Sequence, residues 1–185
     1  MKILGISGSL RRDSHNAQLL RAAALQLPPG VELELWEGLK AVPPYDADDD
    51  GLPRARALRE LDAAIRGADA VLIATPEYNH SVPGQLKNAL DWLSRPLAKN
   101  PLRTKPVAVI GASTGLFGAV WAQAEVRKVA TAMGANVIDR ELPVGQAADA
   151  FTEEGRLADD DLELILADLL AELIGEGRGV VAEAA

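Results

Sequence analysis

The chain has 185 residues, which suits one α/β domain built round a sizeable core. With 48% hydrophobic and 25% charged residues the composition is globular, and a net charge of −8 argues against general affinity for nucleic acid or anionic membranes. There is no cysteine, which excludes disulfides, thiolate metal sites and cysteine nucleophiles, and two histidines, His15 and His80, exclude a multi-histidine metal site.

Strand and helix signals alternate along the chain. Residues 2–7 form a short apolar run that stops at Gly8, and the helix after it is marked by Leu20, Ala23, Ala24 and Leu27 and ended by Pro28-Pro29-Gly30. Val31, Leu33 and Leu35 alternate with Glu32 and Glu34, the pattern of an edge strand with one wet face. An acidic, proline-rich loop spans 43–53, its aspartate run at 46–50 read as a solvated loop, and a helix with Leu58, Leu61 and Ile65 leads to Gly67. The unbroken apolar runs at 70–74 and 107–110 predict central strands covered on both faces. Leu86, Ala89, Leu90 and Leu93 mark the helix between them; Val126, Val129, Ala130 and Met133 mark the next. A short strand at 137–138 and a closing helix through Leu162, Leu166, Leu169 and Leu173 complete one domain over 1–175. Residues 176–185, rich in Gly and Ala, read as a flexible tail.

Five strands interleaved with five helices predict a doubly wound parallel sheet with helices on both faces. In such sheets ligands bind beyond the carboxyl ends of the strands, which directs attention to the loops at 7–16, 75–84 and 112–118. The first lacks the glycine spacing for a dinucleotide pyrophosphate and lacks the lysine of a P-loop. It offers the hydroxyls of Ser9 and Ser14, the amide of Asn16, the guanidinium of Arg11 and the amides of a helix start, which suit a phosphate monoester. Ser14 or Asn16 equally suits a helix cap. In the second loop two prolines, Pro76 and Pro83, restrict the backbone, Tyr78 supplies a flat surface, and Asn79 and His80 supply hydrogen bonds. Taken alone, His80 reads as an exposed loop residue, since nothing in the sequence pairs it with an acid, and Glu77 reads as a residue that could pin its own loop's amides. Gly115 and Gly118 in the third loop let backbone approach a ligand closely. Together the loops describe a slot with a phosphate end and a flat, polar-edged end.

Gly8-Ser9-Leu10-Arg11 with Ser14 and Asn16, Pro76-Glu77-Tyr78-Asn79, Ser81-Val82-Pro83-Gly84 and the run from Leu86 to Trp92 resemble the NADPH-dependent FMN reductase family, a flavodoxin-like group that includes quinone, chromate and azo-dye reductases. Gly111-Ala112-Ser113 with Gly115, Gly118 and Ala122-Gln123 is similar to its third motif, and the likeness runs over roughly residues 2–160. The resemblance implies a flavodoxin-like sheet of order 2-1-3-4-5. It implies FMN as cofactor, its phosphate on Ser9, Arg11, Ser14 and Asn16, its ring lined by Pro76, Glu77, Tyr78 and Asn79 and flanked by Ser113 and Gly115; His15 and His80 complete the candidate contacts. It also implies a homodimer or homotetramer, with the helix after Gly84 near the subunit contact. Family members often carry arginine where this chain has Trp121, a departure that bears on acceptor preference and on higher-order contacts.

The expected activity is transfer of electrons from NADPH or NADH through FMN to a small acceptor (free flavin, quinone, metal oxyanion or azo compound) by a ping-pong route, with no catalytic side chain and no metal. The alternatives are a flavodoxin-type electron carrier that never oxidises the nucleotide, and a hydrolase, for which Ser7, Ser9 and Ser14 lack a His-acid partner pattern. Without a cleavable leader or a membrane-length apolar run, the expected location is the cytoplasm.

Overall fold

The computed structural model describes residues 1–183. Its centre is a parallel sheet in the order β2-β1-β3-β4-β5. The strands are β1 (Lys2–Ser7), β2 (Glu32–Trp36), β3 (Ala70–Thr75), β4 (Pro106–Ala112) and β5 (Asn136–Val137). Every residue of β3 and β4 is buried, as expected of strands without a wet face. β2 lies at the edge, its Glu32 and Glu34 exposed. In register, Ile6 stands beside Trp36 and Ile73, and Ile73 beside Val109, so the carboxyl ends step outward from β2 through β1 and β3 to β4, which runs furthest.

Period-two alternation sends strand side chains to two separate cores. On one face Ile3, Leu72 and Ile110 meet Leu19, Leu20 and Ala23 of α1 (His15–Leu25) and Leu166, Leu169 and Leu173 of α5 (Asp160–Glu183). On the other, Leu4, Ile73 and Val109 meet α2 (Arg56–Gly67), α3 (Gly84–Leu93) and α4 (Val120–Ala132) through Leu61, Leu86 and Val126. The doubly wound order 2-1-3-4-5 thus stands as expected.

Three local features differ from the sequence reading. The fifth strand is Asn136–Val137, although Ile138 still donates its N–H to Val107 O at 2.8 Å. A sixth strand, β6 (Pro143–Val144), pairs with Gly111 and Ala112 at the end of β4. Two residues are too few for any periodic signal, which is why it escapes sequence reasoning. The closing helix also runs past 175 to Glu183. Glycine content suggested a stop there, but Gly177 is buried against the start of the sheet, and a Cβ at that position would meet Met1 Cε at 2.3 Å. Packing of a residue without a side chain overrides its weak helix propensity. Residues 184–185 of the expected tail lie outside the described residues.

The polar residues of α3 hold the proline-rich loop. Gln85 donates to Leu39 O and Val42 O at 2.9 and 2.7 Å, Asn88 and Trp92 both donate to Pro43 O, and Asn88 accepts from Tyr45 N at 2.7 Å. The aspartates that follow, 46 and 48–50, are exposed.

Candidate cofactor site

Chain order and strand register bring the three loops together at the carboxyl edge of the sheet. After Ser7 the chain turns through Gly8, whose N–H donates to Ala74 O at 2.8 Å. A Cβ there would meet Leu86 Cδ2 at 2.9 Å and Pro76 Cδ at 3.2 Å, so a bare glycine lets the first loop lie against the second without displacing either side chain. Ser14 caps α1: its Oγ accepts from the N–H groups of Asn16 and Ala17, both at 3.2 Å. Because the hydroxyl only accepts in these bonds, its own hydrogen remains free to donate. Arg11 is exposed and folds over the loop, its Nε donating to Asp13 O at 3.0 Å and its Nη2 3.3 Å from His15 Nε2. Ser9 Oγ accepts from Arg11 N at 3.3 Å.

Asn16 is 2% exposed and has another task. Its side-chain amide donates to Ala112 O at 2.9 Å and accepts from Ala112 N at 3.0 Å, which clips the start of α1 to the end of β4. The polar edge of Asn16 is therefore spent on joining the first loop to the third.

In the second loop Tyr78 and Ser81 exchange two backbone hydrogen bonds, each 3.1 Å, round Asn79 and His80. Both central residues have positive φ, 52° and 59°, as a type I′ turn requires, and Asn and His are among the residues that tolerate it best. Glu77 reaches out of this turn rather than pinning its own loop. Its Oε2 accepts from Trp121 N and Ala122 N at 3.1 and 3.2 Å, capping α4, where Ala119 at the N-cap has no side chain for the purpose. The Oε1 lies 3.7 Å from His80 Nδ1, so His80 is exposed as read but does have an acid neighbour three residues earlier. Its ring meets Trp121 edge-on at 4.7 Å, and Phe117 meets Trp121 at 5.1 Å.

The third loop is fixed from behind. Ser113 exchanges backbone bonds with Val144 and Ala147, both 3.0 Å, and its Oγ accepts from Gly115 N at 3.0 Å. At Gly118, φ is 55° and a Cβ would lie 2.2 Å from the carbonyl carbon of Pro143. Gln123, fully buried, donates to Gly118 O and Leu142 O and accepts from Leu142 N.

One cleft results, lined by Ser9, Arg11, Ser14, His15 and Asn16 from the first loop, Pro76, Glu77 and Tyr78 from the second, and Ser113 from the third. Ala112 and Thr114 of the third loop join the wall beside Ser113. Asn79 and His80 stand at the turn tip and Gly115 faces residue 146, all outside that wall. Among the described residues Glu77 is the one carboxylate lining it, and the amides of α4 take up one of its oxygens. A guanidinium, free hydroxyl hydrogens and a helix start at one end, with an exposed Tyr78 ring at the other, fit the phosphate and the flat ring of FMN. Among the described residues no group of three or more potential ligands could hold a metal ion.

Residues 1–149 match the family model described as NADPH-dependent FMN reductase. The chain belongs to that family. Membership makes it an oxidoreductase of flavodoxin-like fold, with FMN as cofactor and a reduced nicotinamide nucleotide as electron donor. This FMN reductase family member is 42% identical over 173 residues to an NAD(P)H-dependent FMN reductase of Pseudomonas aeruginosa, covering 92% of each chain. It is 38% identical over 143 residues to a quinone reductase of Escherichia coli K12, covering 76% of this chain and 74% of the other. Among solved structures, the flavoenzyme NAD(P)H:(acceptor) oxidoreductase FerB of Paracoccus denitrificans superimposes with a TM-score of 0.82 at 31% identity, over 96% of this chain and 97% of that one.

Proposed function

We propose that the protein oxidises NAD(P)H and delivers two electrons to a small acceptor of the quinone type, donor and acceptor taking the same open face in turn. FMN, when bound, supplies the redox chemistry. The nucleotide loses a hydride, and the acceptor gains two electrons with two protons, one of them from water. The chain's own residues bind and orient. Arg11 and the hydroxyls of Ser9 and Ser14 hold the phosphate, and the start of α1 adds its positive end. Pro76, Glu77 and Tyr78 present a pre-shaped edge to the ring, with Ser113 on the far side. The observation that carries this reading is the convergence of these three loops on one cleft. No side chain is assigned a proton-transfer step.

The reading extends to a homodimer located in the cytoplasm. Leu116, Phe117 and Trp121 are 74%, 62% and 40% exposed, with Phe117 and His80 both packed on the Trp121 ring, apolar side chains of the kind that a second subunit covers. No helix of the described residues is long and apolar enough to cross a membrane.

The test mixes purified protein, FMN and NADPH and follows loss of the reduced nucleotide with a quinone present. FMN-dependent oxidation and parallel double-reciprocal lines are expected. A protein that binds FMN yet leaves the nucleotide intact is an electron carrier, and intersecting lines remove the alternating route.

A further inference from the structure

Arg11 stands between two concavities, and the flavin cleft is only one of them. The other, of about 280 Å³, opens between α1 and the chain leaving β2 and shares with the cleft only Ser9 and Arg11. Arg12, Arg21 and Lys40 line it beside Arg11, against one carboxylate, Glu37. Among the described residues the side chains of Arg12, Arg21 and Lys40 make no ion pair or hydrogen bond. Elsewhere on the surface Arg56, Arg66, Lys87 and Arg140 each have a carboxylate oxygen within 2.7 Å. In a chain of net charge −8, three cations left without partners round one hollow constitute an anion site.

The wall also says which anion. Trp36, Leu20, Leu35 and Leu39 supply its apolar part. The indole is held in place, since a Cβ on Gly38 would sit 2.4 Å from Trp36 Cζ2. A fixed indole beside cations suits a small planar body that ends in a phosphomonoester. The volume lies at the lower limit of ligand cavities and leaves no room for a ring system as large as a flavin's. Tyr78 and Ser113 line the cleft and not this cavity. An occupant therefore meets the phosphate end of the flavin site and stays clear of the ring. Its effect falls on binding and not on electron transfer.

We propose that this cavity is a second anion site, which takes a small planar phosphomonoester and weakens FMN binding through Arg11. The proposal rests on the placing of the FMN phosphate at Arg11 above. Two phosphates on either side of one guanidinium repel each other and compete for its donors. By reciprocity, FMN weakens the occupant by the same factor.

Phenyl phosphate is titrated calorimetrically into the protein without FMN, with inorganic phosphate and phenol as controls. Saturable binding is expected, about fivefold tighter than that of inorganic phosphate, and none for phenol. Arg12→Ala/Lys40→Ala and Arg21→Ala should weaken it, about tenfold or more in the double variant, with melting temperatures near that of the wild type. FMN is then titrated with and without saturating phenyl phosphate. Its affinity should fall about fivefold or more in the wild type, and much less in the double variant. Absence of phenyl phosphate binding overturns the proposal, as does binding that the variants leave intact or an FMN affinity that phenyl phosphate leaves unchanged. Equal affinity for inorganic phosphate overturns the planar ligand. Competition that persists undiminished in the double variant places phenyl phosphate in the flavin cleft and overturns the second site. So does a stoichiometry of two FMN per chain that the double variant reduces to one, which assigns the cavity to a second flavin. Failure of FMN to bind without phosphate present counts against the flavin site, and the phenyl phosphate titrations of wild type and variants still decide this one.

Discussion

Asn16 and Ala112 are 96 residues apart in sequence and exchange two hydrogen bonds, side chain to backbone, at 2.9 and 3.0 Å. This pair fixes the first loop against the third. Asn16→Ala leaves a buried N–H and a buried carbonyl unpaired. The expected loss is about 2–4 kcal/mol of unfolding free energy. Urea denaturation measures it, and FMN affinity should fall in the same variant because the two loops part. Unchanged stability would show that water replaces the clip without cost.

Arg11 is exposed and makes only local contacts, so its removal should spare the fold. A charge-assisted contact to phosphate is worth about 1.5–3 kcal/mol, so Arg11→Ala should weaken FMN binding roughly 10- to 100-fold. Arg11→Lys keeps the charge without the planar fork and should recover part of that. Calorimetry reads the affinity, and the melting temperature without FMN should move little in both variants.

Glu77 caps a helix to which it does not belong. Glu77→Ala removes the acceptor for two N–H groups and should cost about 1–2 kcal/mol. Glu77→Gln keeps an oxygen and loses only the charge at the helix start, a cost of about 0.3–1 kcal/mol. Unfolding midpoints order the three proteins. Trp121 emission should shift in Glu77→Ala, since its backbone anchor is gone.

Gly118 and Gly30 both have positive φ, 55° and 83°, but differ in their surroundings. At Gly118 a Cβ meets the backbone of Pro143 and Val144 between 2.2 and 2.5 Å; at Gly30 nothing lies within 4 Å. Gly30→Ala should therefore cost only the strain of left-handed backbone, about 1 kcal/mol. Gly118→Ala adds a clash with backbone that cannot move aside, for a total of roughly 3 kcal/mol or more. Thermal unfolding of the two variants side by side checks the difference.

The sheet was legible because burial writes itself into periodicity. The unbroken runs at 70–74 and 107–110 are central strands, and the alternation of Val31, Leu33 and Leu35 with two glutamates marks the edge. The cleft was legible as loop positions, since a doubly wound sheet leaves its strand ends open. What sequence could not show was how side chains are shared among those loops. Ser14 acts as the helix cap that was weighed beside a phosphate contact, but the clip made by Asn16 joins positions that no local pattern connects. Glu77 likewise has its partners 44 and 45 residues away. β6 was too short to carry a period, and the last turns of α5 depend on a tertiary contact of Gly177 that composition argued against.

Gly118 and Gly145 bring backbone onto backbone, with a Cβ at Gly145 only 2.4 Å from Leu116 O, so the base of the third loop tolerates almost no substitution at these two positions. Leu116, Phe117 and Trp121 rise from that same base into the open. Substitutions on those three upright side chains should therefore spare the fold of the single chain and be felt where a second subunit covers them. A library confined to them should yield many folded variants of altered assembly, whereas one that reaches Gly118 or Gly145 should yield few.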